Sequence, residues 1–257
     1  MRVALTGGSS GIGAEVARKL AELGHEVTAF DITEPQGSVV EWIKTDLGNP
    51  VSIRSAVEAA SGSFDALINN AGLPPRDGLE QKILQVNWFG LRSLMDGMLD
   101  KMETGAAIVN TASRAGAMWR DNLEEVKALM SLQPDGLPAF ISERGIDATR
   151  AYNLSKEAVI VMTMAETENL IARNLRMNSV SPAAVSTGIL KDFAAAFGDR
   201  MAKNVARAGR PGLPEEVAEV IVFLASPESG WIKGQDVTID GGMSAMAMSE
   251  ALEISGT

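Results

Sequence analysis

The chain contains a single tyrosine, Tyr152, and Lys156 follows it four positions later. On a helix, residues at that spacing share a face, which sets an ammonium beside a phenol. A phenol in water has a pKa of about 10, and a neighbouring cation favours the phenolate, moving the group toward the working range of a general acid/base. A lone Tyr-x-x-x-Lys is more often a surface pair without chemistry, so its company matters. That company is Ser113, at the end of the run Ala107-Ile108-Val109-Asn110-Thr111-Ala112, and Asn87 in Gln85-Val86-Asn87-Trp88-Phe89-Gly90. In an open parallel sheet the ligand crevice lies off the carboxyl ends of the strands, where Ser113 and the segment Asn69-Asn70-Ala71-Gly72 would both emerge. Taken singly, a strand-end serine reads as a loop hydroxyl or cap, and a mid-helix asparagine as a solvated or helix-bending residue.

A second cluster sits near the start, in Thr6-Gly7-Gly8-Ser9-Ser10-Gly11-Ile12-Gly13. Glycines let a backbone turn tightly and approach a ligand, and a helix beginning there points free N–H groups at the turn, a natural seat for a pyrophosphate. A ligand-free Gly-rich connector would look the same in isolation. Asp31 ends the next apolar run, where a carboxylate can accept from both hydroxyls of an adenosine ribose and repel a 2′-phosphate, favouring NAD over NADP. Asp46, followed by Leu47, reads either as a contact to an adenine amino group or as a helix cap.

The elements that must position these groups follow from periodicity. Val3–Leu5, Val27–Phe30, Val39–Ile43, Ala66–Ile68, Ala107–Asn110, Met177–Val180 and Asp236–Ile239 are short, largely apolar runs between helix-like stretches, an alternation that predicts parallel strands with crossover helices. Val16, Ala17, Leu20 and Leu23 recur at helical spacing with Gly24 as a stop, while Asn49-Pro50 and Leu213-Pro214 mark helix starts. The expected fold is α/β, a doubly wound single domain over residues 1–257. The segment after Met243 gives no clear pattern.

Composition narrows the rest. With 23 Lys+Arg against 33 Asp+Glu, the net charge of −10 disfavours nucleic acid and anionic membranes. No cysteine and one histidine leave neither a thiol nucleophile nor ligands for a metal site, and none is expected. No run approaches the ~20 apolar residues of a membrane span, and no secretory leader is evident, so a cytoplasmic location is expected.

In order and spacing, the glycine turn, Asn69-Asn70-Ala71-Gly72, Asn87, Ser113, Tyr152-x-x-x-Lys156 and Asp240-Gly241-Gly242 resemble the short-chain dehydrogenases/reductases over nearly the whole chain. The resemblance implies a seven-stranded parallel Rossmann sheet, NAD as cofactor and a small alcohol or ketone as substrate. By it, Tyr152 would exchange a proton with the reacting oxygen, Lys156 would lower the phenol's pKa and hold the nicotinamide ribose, Ser113 would bind the reacting oxygen, and Asn87 would hold a water leading from Lys156 to solvent. Gly7, Ser10, Gly11, Ile12 and Gly13 would form the cofactor loop, Asp31, Asp46 and Leu47 the adenosine end, with Asn70, Ala71 and Gly72 beside it. Val185 and Thr187 would contact the carboxamide.

Two departures from the family pattern stand out. Ala183 follows Pro182 where the family usually has glycine, so that turn must avoid positive φ or accept strain. Thirty-nine positions separate Ser113 from Tyr152, far more than the family's short loop. Leu123, Val126, Leu129 and Met130 share a helical face there, stopped by Pro134-Asp135-Gly136, so a helical insertion over about 114–150 is expected. The insertion looks like that of the subgroup containing bacterial 3α-hydroxysteroid dehydrogenase/carbonyl reductase. It also places residues 117–148 in the contact of an expected homodimer, a homotetramer being the other assembly considered. Substrate contacts are expected from Pro74-Pro75, Arg114 to Trp119 and a lid over about 186–208, with steroid, terpene, pyridoxine-like and polyol substrates all open. The rival reading is a non-catalytic dinucleotide sensor or scaffold, which needs only the glycine turn.

Overall fold

In the computed structural model, which describes residues 1–254, the apolar runs form β1 (Arg2–Thr6), β2 (Glu26–Asp31), β3 (Glu41–Lys44), β4 (Phe64–Asn69), β5 (Met102–Thr111), β6 (Arg176–Pro182) and β7 (Asp236–Ile239). They make one parallel sheet in the order β3-β2-β1-β4-β5-β6-β7. The order reverses between β1 and β4, the place where a doubly wound sheet opens a crevice. The helices are α1 (Gly11–Glu22), α2 (Pro50–Ala59), α3 (Glu80–Leu84), α4 (Leu91–Met98), α5 (Leu123–Ser131), α6 (Leu137–Arg144), α7 (Ala148–Ala165), α8 (Thr167–Ala172), α9 (Leu190–Ala208), α10 (Pro214–Ala225) and α11 (Met243–Ala251).

The strands alternate between two apolar layers. Val3, Leu5, Ile68 and Val109 pack with Val16 and Leu20 of α1 and Ile221 of α10. Leu67, Ile108 and Met177 face the other way, onto Leu94 of α4 and Leu154 and Ala158 of α7. Helix starts lie where proline and capping chemistry put them. Asn49 accepts the Val51 and Ser52 N–H groups ahead of α2, and Glu216 accepts the Leu213 N–H ahead of α10.

The insertion is helical, and α5 follows the expected face, with Val126 and Leu129 fully buried. A second helix, α6, was not signalled by periodicity; it begins immediately beyond Pro134-Asp135-Gly136 and buries Leu137 and Phe140. Arg150 ties α5 to α7, with Nη2 2.7 Å from both Glu125 and Glu157, and Asn122 donates to the same Glu157. Ala183 carries no positive φ, so the turn after β6 takes the strain-free course. Among the described residues, no helix is long and apolar enough to cross a membrane.

Candidate active site

The first crossover builds one wall of the site. Gly7 has φ of 71° and a Cβ there would stand 2.8 Å from the Ala71 Cα, while a Cβ at Gly13 would meet the Gly7 carbonyl at 1.8 Å. The turn is thus pressed against the start of α1 and against the segment after β4. Thr6 secures that junction, its hydroxyl accepting the Asn70 and Ala71 N–H groups, and Asn70 returns a bond to the Gly7 carbonyl. Ser10 stands at the N-cap of α1 with no side-chain cap bond, leaving the first-turn amides for a ligand. Asp31 accepts the Ser9 N–H on one oxygen and the Thr33 N–H on the other, both at 3.0 Å.

The second wall comes from β5 and α7. Ser113 follows β5, its hydroxyl accepting the Ala115 N–H at 3.1 Å. Asp147 caps α7 by accepting the Arg150 N–H, so this helix starts earlier than Tyr152 and carries both Tyr152 and Lys156 in its first half. Tyr152 is 6% exposed and Lys156 4%. The ammonium lies 5.8 Å from the phenol ring centroid and donates to the Thr111 carbonyl at 2.7 Å.

The electrostatics differ from the simplest reading of a Tyr/Lys pair. Burial holds the Tyr152 phenol up at about 12, a hydrogen bond with Ser113 acting in the opposite direction. Burial also brings Lys156 down to about 8. In the ligand-free protein, desolvation therefore dominates, and the phenol stands above its ordinary value where the pairing with Lys156 predicts a value below it.

Asn87 is fully buried in a π-helical segment, Gln85–Gly90, between α3 and α4. Its carboxamide accepts the Leu73 N–H at 2.7 Å and donates to the Leu73 carbonyl at 3.0 Å. Both Asn87 Oδ1 and Lys156 Nζ lie next to Gly72, within 3.2 and 3.5 Å of where its Cβ would be. Asp46 does not cap α2, a role that falls to Asn49; its Oδ1 accepts the Gly48 N–H instead.

All these parts meet in one cavity of about 810 Å³ along the carboxyl edge of the sheet. Gly7, Ser10, Gly11, Ile12, Asp31, Asp46, Leu47, Asn70, Ala71, Gly72, Ser113, Tyr152, Lys156, Val185 and Thr187 line it. Gly13 and Asn87 stand behind that lining as supports. At the far end α9 covers the cavity. Phe193 meets the Tyr152 ring edge-on at 5.3 Å and stacks with Phe197 at 6.3 Å. Arg76 fixes this helix through both oxygens of Asp192, and Gly198 breaks its course with φ of 48°. Met243 and Ala247 of α11 also line the cavity, as do Asn153 and Asn204. Their sequence signal was slight: a run of Met, Ala, Ser and Glu after Gly242 favours helix but names no face.

The residues present fit a dinucleotide. Free amides at a helix start suit a pyrophosphate, Asp31 suits a ribose, and a buried ammonium with, among the described residues, a single acceptor for its three N–H donors has capacity for a second ribose.

Comparison with known proteins agrees with this geometry. Residues 2–124 match the family model described as short chain dehydrogenase, and residues 137–244 match one described as enoyl-(acyl carrier protein) reductase. The chain is 34% identical over 248 residues to coniferyl-alcohol dehydrogenase of Pseudomonas sp. (strain HR199 / DSM 7063), spanning 95% of this chain and 96% of that one. It is 28% identical over 250 residues to 3-alpha-hydroxysteroid dehydrogenase/carbonyl reductase of Comamonas testosteroni, with 95% and 96% covered. The crystal structure of 3-alpha-hydroxysteroid dehydrogenase from Pseudomonas sp. B-0831 complexed with NADH superposes with a TM-score of 0.83 at 29% identity, over 97% of this chain and 99% of that one.

Proposed function

The chain belongs to the short-chain dehydrogenase/reductase family, an oxidoreductase family using a nicotinamide dinucleotide, and from that premise we propose that it interconverts a cyclic secondary alcohol and its ketone with NAD. The observation that carries this reading is the convergence of Ser113, Tyr152 and Lys156 on the same cavity as the glycine turn and Asp31. A non-catalytic sensor needs only the turn, whereas here the proton-transfer groups are assembled and desolvated. The bound dinucleotide supplies the hydride acceptor or donor.

The protein's own contribution is binding and proton transfer. Tyr152 donates its phenolic proton to the carbonyl oxygen in reduction and accepts it back in oxidation. Ser113 holds that oxygen and stabilises its developing charge. Lys156 holds a ribose and sets positive charge near the phenol, Asn87 fixes the Gly72–Leu73 backbone beside it and keeps a water path to Lys156, and Asp31 selects NAD by repelling a 2′-phosphate. Gly7, Ser10, Gly11, Ile12 and Gly13 seat the pyrophosphate; Asp46 and Leu47 flank the adenine, Asn70, Ala71 and Gly72 the adenosine side, and Val185 and Thr187 the carboxamide. The α9 segment acts as a lid, closing an apolar chamber of Phe193, Phe197 and Met201.

That chamber supports a ring-bearing substrate, a 3α-hydroxysteroid among them, as the names of two similar proteins suggest. The stacked Phe193 and Phe197 also favour a second reading, a primary aryl allylic alcohol of the coniferyl type, whose oxidation gives an aldehyde in place of a ketone. A homodimer or homotetramer belongs to the same reading. Because the insertion turns Val126, Leu129, Leu137 and Phe140 inward, it offers a partner its outer residues.

The test is a panel of cyclic secondary alcohols, a 3α-hydroxysteroid and coniferyl alcohol, each with NAD and NADP, followed by nicotinamide absorbance. Turnover with NAD preferred is expected, and Tyr152→Phe should lose ~10²-fold or more in kcat while still binding NADH by fluorescence titration. Preference for NADP would remove the role given to Asp31, and a fully active Tyr152→Phe would remove the mechanism.

A further inference from the structure

The residue after Ser113 carries a charge that the reaction above does not use. Arg114 lines the cavity, and its guanidinium lies against Asp240, three residues ahead of Met243, which lines the cavity too. Asp240 is already engaged. One of its oxygens accepts the Gly242 N–H, and the other accepts the Ser244 N–H and hydroxyl at the start of α11. Arg114 meets it through Nε at 3.4 Å, whereas strong charge-assisted bonds run at about 2.7–2.9 Å. Among the described residues nothing accepts from the two terminal nitrogens, Nη1 and Nη2. The Asp240 side chain, 7% exposed, and the half-buried Asp236 set negative charge beside the cation. They allow it to remain in the wall while its planar outer edge stays unspent.

Two parallel N–H donors on a rigid plane match the two oxygens of a carboxylate. The chamber around them is otherwise largely apolar, with Met118, Phe193, Met201 and Met243 in its wall, so a carboxylate there has few competing partners. The net charge of −10 gives an anion no long-range help, which makes a local fork the means of holding one.

We propose that Arg114 is a specificity-determining residue that binds a carboxylate on the substrate, remote from the carbon that is oxidised or reduced. The proposal deepens the alcohol/ketone reading and rests on it for the word substrate. Ser113 and Tyr152 take the reacting oxygen, and the neighbouring long side chain takes the other end of the same small molecule.

The deciding measurement is binding, separate from turnover. Cyclohexanecarboxylate and its neutral amide, cyclohexanecarboxamide, are titrated calorimetrically into the NADH-saturated protein. The wild type should bind the carboxylate at least about tenfold more tightly, Arg114→Met should erase that preference, and Arg114→Lys, which keeps the charge and loses the fork, should retain only part of it. Should Arg114→Met fail to fold, Arg114→Lys decides. Equal affinity for the two ligands, no carboxylate binding by the wild type, or an undiminished preference in Arg114→Lys overturns the proposal. Oxidation of a hydroxycyclohexanecarboxylate and of its methyl ester is followed in parallel. If neither turns over while the Arg114-dependent preference persists, the dehydrogenase reading fails and the carboxylate site stands.

Discussion

Burying Lys156 with, among the described residues, one carbonyl for its three N–H donors leaves an ammonium that releases its proton more readily than a solvated lysine. Its pKa falls from 10.5 to about 8, with burial as the cause. The sign of the consequence is fixed by proton counting. Between about pH 8 and 10.5 the unfolded chain holds this proton and the folded protein does not, so stability rises with pH across that window and is lost again as pH falls through 8. At full extent the gain is about 3 kcal/mol. Tyr152 acts oppositely only above pH 10, where the folded phenol, held near 12, keeps a proton that the unfolded chain gives up. We therefore expect denaturant unfolding of the ligand-free protein to show wild type gaining stability relative to Lys156→Met between pH 7.5 and 10. Parallel curves would mean that the ammonium is not desolvated as described. Spacing alone brought Tyr152 and Lys156 to attention, but not this balance. The four-residue interval puts two groups on one face, whereas the water each has lost depends on Phe193, Thr111 and Ser113 arriving from elsewhere in the chain.

At the scale of elements, α7, which carries Tyr152 and Lys156, is held by contacts that short motifs do not display. The turn Arg114–Gly116 lies flat on α7. A Cβ at Gly116 would stand 2.8 Å from the Lys156 carbonyl carbon and 2.9 Å from its oxygen. Neither backbone atom can yield, so Gly116→Ala should push the turn off the helix and draw Ser113 away from Tyr152. The expected cost is about 1–3 kcal/mol in stability, with kcat falling ~10-fold or more from the misplaced hydroxyl. Urea titration together with steady-state kinetics checks both, and an unaltered kcat would show that the turn does not set the serine. Elements with a clean period were legible beforehand. Strands β1, β2 and β4 are largely apolar runs buried on both faces, β6 buries Arg176, Asn178, Ser179 and Ser181 beside Met177 and Val180, and α5 shows Val126 and Leu129 on one side. Helix α6 is short with proline at its start, and α11 mixes Met, Ala and Ser on all sides, so neither has a face to read. Strand β3 runs from Glu41, although Val40 ahead of it already donates its N–H to the Val27 carbonyl of β2.

Across the whole molecule, charge and fold pull in different directions on an anionic cofactor. The dinucleotide seat proposed above is locally favourable, with uncapped amides at the start of α1 and the Lys156 ammonium, yet the chain as a whole carries −10. A domain of this length has a radius of gyration on the order of 18 Å. At about 10 mM salt the Debye length is roughly 30 Å, so an approaching pyrophosphate feels the negative surface from all sides. At about 150 mM the length shrinks to roughly 8 Å, and only the seat's own groups remain in view. Salt should therefore speed association of NADH, the reverse of what a cationic protein shows. Stopped-flow fluorescence is expected to give an association rate that rises severalfold from about 10 to 150 mM sodium chloride, while the dissociation rate, governed by the screened contacts inside the cavity, changes less. A falling association rate would place the dominant field at the mouth of the cavity rather than over the surface. The Asp31 carboxylate would then count less in the approach of the cofactor than in the choice between its two forms.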